Sequence, residues 1–116
     1  MDAEEIREYC LAKKGVTESF PFDEVTLVFK VGGKMFALVS LDGDLGINLK
    51  CDPELAIELR ERYTSVTPGF HMAKSHWNTV QIDGTVSDKL IREWVDHSYD
   101  LVKSSLPRKI RDSLDK

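Results

Sequence analysis

The spacing of apolar positions changes several times along the chain, and each change marks an element. Ile6, Tyr9, Cys10 and Lys13 follow helical spacing. Asp2 with Glu5 three residues later makes a capping-box start, and Gly15 supplies the stop. From Val25 to Leu41 the period shortens. Two apolar, β-rich runs flank Gly32-Gly33, a pair that tolerates the positive φ angles of a tight hairpin turn. A two-residue loop sets Phe29 opposite Phe36 and Leu27 opposite Leu38 on one side of the sheet. Val28, Lys30, Met35, Ala37 and Val39 fall on the other. Asp42-Gly43-Asp44 turns the chain into a third strand, with Leu45, Ile47, Leu49 and Cys51 on one side and Asn48 and Lys50 on the other.

Asp52-Pro53 then starts a helix, Asp as the cap and Pro at its first position. It buries Leu55, Ala56, Leu59 and Tyr63. A short strand is expected between Val66 and Met72, confined to an edge or a strand end by Pro68. Another runs from Trp77 to Asp83. Ser87 caps a long helix whose Leu90, Ile91, Trp94, Val95, Leu101 and Val102 form a wide apolar stripe. Pro107 closes it and opens a short last helix to Leu114. The order α-β-β-β-α-β-β-α, with short β-to-β connections, predicts a two-layer α+β domain over residues 1–116: an antiparallel sheet with helices on one face. The second face then carries Lys30, Asn48, Lys50, Trp77, Thr79 and Gln81, with Val28 and Val39 between them.

Composition narrows the function classes. A length of 116 residues suits one domain. No apolar run approaches the ~18 residues of a membrane span, and the opening "MDAEEIREYC" is acidic where a secretory signal is basic and then apolar, so no membrane contact and a cytoplasmic location are expected. Cys10 and Cys51 form no CxxC pair and read as small buried residues of a reducing compartment. His71 and His76 flank "MAKS" with no nearby thiol or carboxylate, and His97 lies on the long helix. That is a weak pattern for zinc, so neither metal nor cofactor is expected. There is no GxSxG elbow, no Cys beside a base and no glycine-rich phosphate loop, so catalysis is not expected either.

The chain has 16 basic and 20 acidic residues, a net charge of −4. Its distribution says more than its sum. Residues 62–82 hold Arg62, Lys74 and two histidines with no acid, and residues 103–111 hold Lys103, Arg108, Lys109 and Arg111 with none. An acidic protein with such segregation presents a locally positive surface.

The blocks "TLVFKVGGKMFAL", "INLKCDPELA", "TPGFHMAKSHWNTV" and "HSYDLVKSSLPRKIR" span nearly the whole chain and resemble the MmcQ/YjbR family of small bacterial proteins. The resemblance implies a YjbR-like fold, related in layout to type III secretion chaperones. It also implies DNA binding through a "double wing" of hairpins. Carried over by position, the wing candidates are the hairpin bearing Lys30 and Lys34 and the His71–Asn78 block, in which His71, Lys74, His76, Trp77 and Asn78 are the contact candidates; Lys50 joins them from the reading of the outer sheet face. The family's third block usually reads like "HMNKKHWNTV". Here Ala73 and Ser75 replace an amide and a cation. The expected partner is the DNA backbone. With about four lysine contacts, log K should fall with log salt at a slope of roughly −3 to −4. The alternative is a protein partner or a second copy, docked on a strip of Val28, Met35, Ala37 and Val39.

Overall fold

Asp2 starts the first helix as its sequence suggests. The Glu5 amide donates to Asp2 Oδ1 at 2.8 Å while the Asp2 amide donates to Glu5 Oε1 at 3.2 Å, so two otherwise orphaned donors are satisfied reciprocally. The structure is a computed structural model that describes residues 1–69 and 72–115. Along it run α1 (Ala3–Leu11), β1 (Val16–Ser19), β2 (Thr26–Val31), β3 (Lys34–Ser40), β4 (Gly46–Lys50), α2 (Pro53–Arg62), β5 (Val66–Pro68), β6 (Trp77–Gln81), α3 (Asp88–Ser105) and α4 (Arg108–Leu114). The described strands make one antiparallel sheet in the order β1-β2-β3-β4-β6-β5. Asp52 caps α2 at the Leu55 amide and Ser87 caps α3 at the Leu90 amide, each at 3.2 Å.

One core joins the helices to one face of the sheet. Ile6 and Cys10 of α1, Ala56 and Leu59 of α2, and Ile91, Val95 and Val102 of α3 pack with Leu27, Phe29, Val39, Ile47 and Val80 of the strands. The two-layer α+β expectation is met. Three of its details are not.

First, four strands precede α2 rather than three. The segment Val-Thr-Glu-Ser has no alternation of fully apolar and polar positions, only half-buried and exposed ones. It forms β1 because the edge of β2 accepts it and because Arg7 of α1 grips Glu18 through two nitrogens, at 2.8 and 2.7 Å.

Second, the hairpin keeps the expected register for only two pairs. Gly32 and Gly33 turn with φ of 58° and 81°, Val31 faces Lys34 and Lys30 faces Met35. A bulge then shifts the register, so Phe29 faces Ala37, Val28 faces Leu38 and Leu27 faces Val39. The expected Phe29–Phe36 and Leu27–Leu38 pairs do not form. The extra residue is Phe36, whose ring lies 6.5 Å from that of Phe29 and edge-on to Tyr99 at 5.5 Å. Filling that gap under α3 sends Phe36 inward. Every later residue of β3 changes side, so Ala37 and Val39 join the core and Leu38 turns outward.

Third, β5 stops at Pro68 instead of reaching toward Met72, and β6 stops at Gln81 instead of Asp83. Pro68 turns its nitrogen to the open edge of the sheet, where a proline costs no ladder bond, and the Gly69 amide makes one last bond to β6, at the Trp77 carbonyl.

Candidate nucleic-acid interface

The outer sheet face, away from the helices, is not bare. Val28, Leu38 and Trp77 form a second apolar cluster, with Met35 and Met72 packed against it. Met72 belongs to the β5–β6 connection, which closes back over this face. The Gly69 amide donates to the Trp77 carbonyl at 2.8 Å and the Cys51 amide to the His76 carbonyl at 2.7 Å. A Cβ on Gly69 would stand 2.7 Å from Trp77 Cβ and 3.1 Å from its carbonyl oxygen, so the loop closes this tightly only with glycine there.

This arrangement sorts the candidate residues. Lys30 shares the parity of Val28 and points to the outer face. Lys50 pairs with Trp77 and shares that face. Both sit at the Gly32-Gly33 end of the sheet, because Lys30 faces Met35 while Leu49, one residue before Lys50, faces Ala37. Neighbouring strands lie about 4.8 Å apart, so with β3 between them the two backbones are separated by roughly 10 Å. Lys74 is exposed on the closing loop, three residues before Trp77, and that loop enters β6 at the Lys50 end, where the Cys51 amide donates to the His76 carbonyl. Lys34 departs from the group. It faces Val31, whose side chain is in the helix-side core, so it sits on the other side of the hairpin tip. None of these four ammonium groups pairs with a carboxylate among the described residues. Lys13 and Lys103, by contrast, hold Asp96 at 2.5 Å and Asp115 at 2.8 Å.

Trp77 and Asn78 are turned to structural work. Trp77 is 8% exposed and packs beneath Met72, so its ring offers no open stacking platform. Asn78 is 2% exposed on the helix side, where Nδ2 donates to the Ala56 carbonyl at 3.2 Å. His76 is exposed, and His71 lies outside the described residues. The apolar docking strip is lost as a strip. Val28 is fully buried, and the bulge has carried Ala37 and Val39 into the core.

A family model described as YjbR matches residues 11–101. The chain belongs to the YjbR family. YjbR of Escherichia coli K12 is 36% identical over 115 residues, which is 98% of this chain and 98% of that protein. YbdF of Escherichia coli O157:H7 is 40% identical over 91 residues, 78% of this chain and 75% of that one. A crystal structure of a Deinococcus radiodurans protein with a DUF419 domain aligns with a TM-score of 0.92 at 40% identity, covering 97% of this chain and 86% of its own. A Pseudomonas syringae protein aligns at 0.77 with 26% identity, covering 88% and 99%.

Within this YjbR fold one residue that pattern reading passed over supports the cationic corner. Ser98 of α3 is fully buried, donates to the Phe36 carbonyl at 2.5 Å and accepts from the Lys50 amide at 2.9 Å. The bulge leaves these two groups without a ladder partner, and the hydroxyl bridges them. Its signal was a polar residue at i+3 from Val95 and i−4 from Val102, on an otherwise apolar stripe. The thiols of this YjbR domain are poorly suited to nucleophilic work. Burial pushes Cys10 up to about 12 and Cys51 up to about 11, away from the thiolate form. Among the described residues, no group of three His, Cys, Asp or Glu side chains gathers in metal-binding geometry.

Proposed function

We propose that this YjbR-family protein binds duplex DNA without catalysing a reaction, gripping phosphates with Lys30, Lys50 and Lys74. The observation that carries this reading is the corner just described. Two lysines of one sheet face lie at one end of the sheet, and the loop that carries the third enters β6 at that same end; among the described residues none of the three pairs with a carboxylate. Ammonium groups held this way keep their charge for an external anion, and the corner stays attractive although the whole chain is anionic. Lys34 lies across the hairpin tip and His76 beside the loop. They serve as flanking contacts for a backbone that wraps the corner. With Trp77 and Asn78 buried, the described candidates left exposed are mainly lysines, whose charge suits phosphates of any sequence, and binding should be largely indifferent to sequence.

Anisotropy of a labelled duplex, titrated at several salt concentrations, tests this. Three phosphate contacts give a slope of log K on log salt of about −3, and the Lys30→Glu/Lys50→Glu double variant should bring it toward about −1 with a loss of affinity of at least about tenfold. Binding that ignores salt, or a double variant that binds like the parent, would refute the proposal.

A further inference from the structure

The opposite end of the outer face holds a groove of about 450 Å³. That volume falls in the range of small-molecule sites. Its floor is two cross-strand pairs, Thr26 facing Ser40 and Leu38 facing Asn48. One wall is Phe22 from the β1–β2 connection, 65% exposed, and the other is Met72 from the loop over the face. Asp23 stands at the rim beside Phe22.

The polar groups here select a charge. Asp23 Oδ1 accepts from the Val25 and Thr26 amides at 2.9 and 2.7 Å, and Oδ2 accepts from Thr26 Oγ1 at 3.1 Å. These bonds, the Val25 amide foremost, hold the carboxyl below its ordinary value of 3.8, so it is ionised at neutral pH. No ammonium or guanidinium pairs with Asp23 among the described residues. A fixed carboxylate with an unfilled lone pair therefore lines the same groove as an exposed aromatic residue, two hydroxyls and a thioether. An organic ammonium satisfies the set together. Its charge meets the carboxylate and the face of the ring, and its apolar body lies on Leu38 and Met72.

We propose that this groove binds a small organic amine with an apolar body. The site shares no residue with the lysine corner, so it stands or falls independently of DNA binding. Amide chemical shifts, followed while the protein is titrated with tryptamine, tryptophol and indole-3-acetate, compare cation, neutral and anion on one ring system. Tryptamine should shift the amides of residues 22–26, 38–40 and 48 saturably. Tryptophol should bind about tenfold more weakly, in line with the loss of a charge-assisted bond, and the acetate weaker still. Asp23→Asn keeps an oxygen for the Val25 and Thr26 amides and should weaken tryptamine about tenfold by the same reasoning. Phe22→Ala, at an exposed position, should weaken it by about threefold. Neither variant should change duplex binding. Equal binding of tryptamine and tryptophol, or an unchanged tryptamine affinity in both variants, overturns the proposal. So does saturable binding of a blocked lysine-containing tripeptide with none of tryptamine.

Discussion

The Ser98 hydroxyl joins α3 to β3, through the Phe36 carbonyl, and to β4, which carries Lys50 of the cationic corner, through the Lys50 amide. Truncation to Ala leaves a buried acceptor and a buried donor with no partner. Each such group costs about 1–3 kcal/mol, so Ser98→Ala should lower unfolding free energy by roughly 2–6 kcal/mol, measured by urea denaturation. Because Lys50 loses its anchor, duplex affinity should fall as well. A variant as stable as the parent would show that the hydroxyl is not bridging these groups. Sequence marked the stripe of α3 but not the task of the Ser98 hydroxyl, since that task exists only once Phe36 bulges. Asn78 is a different case, because alternation from Trp77 already places it on the helix side of β6. As a residue type it suits contact with a ligand, yet the parity of β6 turns it toward the Ala56 carbonyl.

Among elements, capped helices with an apolar stripe were legible, and the marginal ones were not. The starts of α1, α2 and α3 coincide with the expected Asp2, Asp52 and Ser87 caps. Strand β1 was invisible because half-buried edge residues need no apolar alternation. Helix α4 was expected, and its hold on the fold is slight. No residue of it is buried, and its cap is Pro107 with no side-chain bond to the first turn. A helix of seven residues is unstable by itself in water. In hydrogen exchange followed by mass spectrometry, peptides from residues 107–114 should therefore exchange far faster than those from α3, whose stripe buries six residues. Equal protection in the two helices would contradict this. The register shift in β3 belongs to this scale too. Turn chemistry set the first two pairs of the hairpin, and a bulge cannot be read from turn residues.

Across the whole molecule the carboxylates set how stability responds to acid. Hydrogen bonds hold Glu18 (from Arg7), Asp23 (from the Val25 amide), Asp83 (from Thr85), Asp88 (from the N-terminal ammonium) and Asp115 (from Lys103) below their ordinary values of 4.5 for Glu and 3.8 for Asp. A depressed folded-state value means that the unfolded chain takes up protons first. The stabilisation is complete above the ordinary values and is lost as pH falls through the depressed ones. Melting temperature should stay level from neutral pH down to about 5 and then drop, with added salt shrinking the drop because these groups face solvent. A melting temperature that rises on acidification would show the sign to be wrong. The net charge of −4 is thus compatible with a basic corner, because carboxylates such as Glu18, Asp96 and Asp115 are engaged with other cations, Arg7, Lys13 and Lys103.

What the chain determined by itself was whatever rests on local chemistry: the helix caps, the glycine turn, the apolar stripes, the α+β order and the four blocks that mark the family. These depend on neighbours a few residues away, so they survive without coordinates. Only the tertiary structure decided which side of β3 each residue faces, that Trp77 and Asn78 are buried, that Lys34 leaves the group, and that a groove opens beside Phe22. Each of those depends on how a large side chain, Phe36 above all, fills space between elements distant in sequence, and close packing is a property of the assembled core.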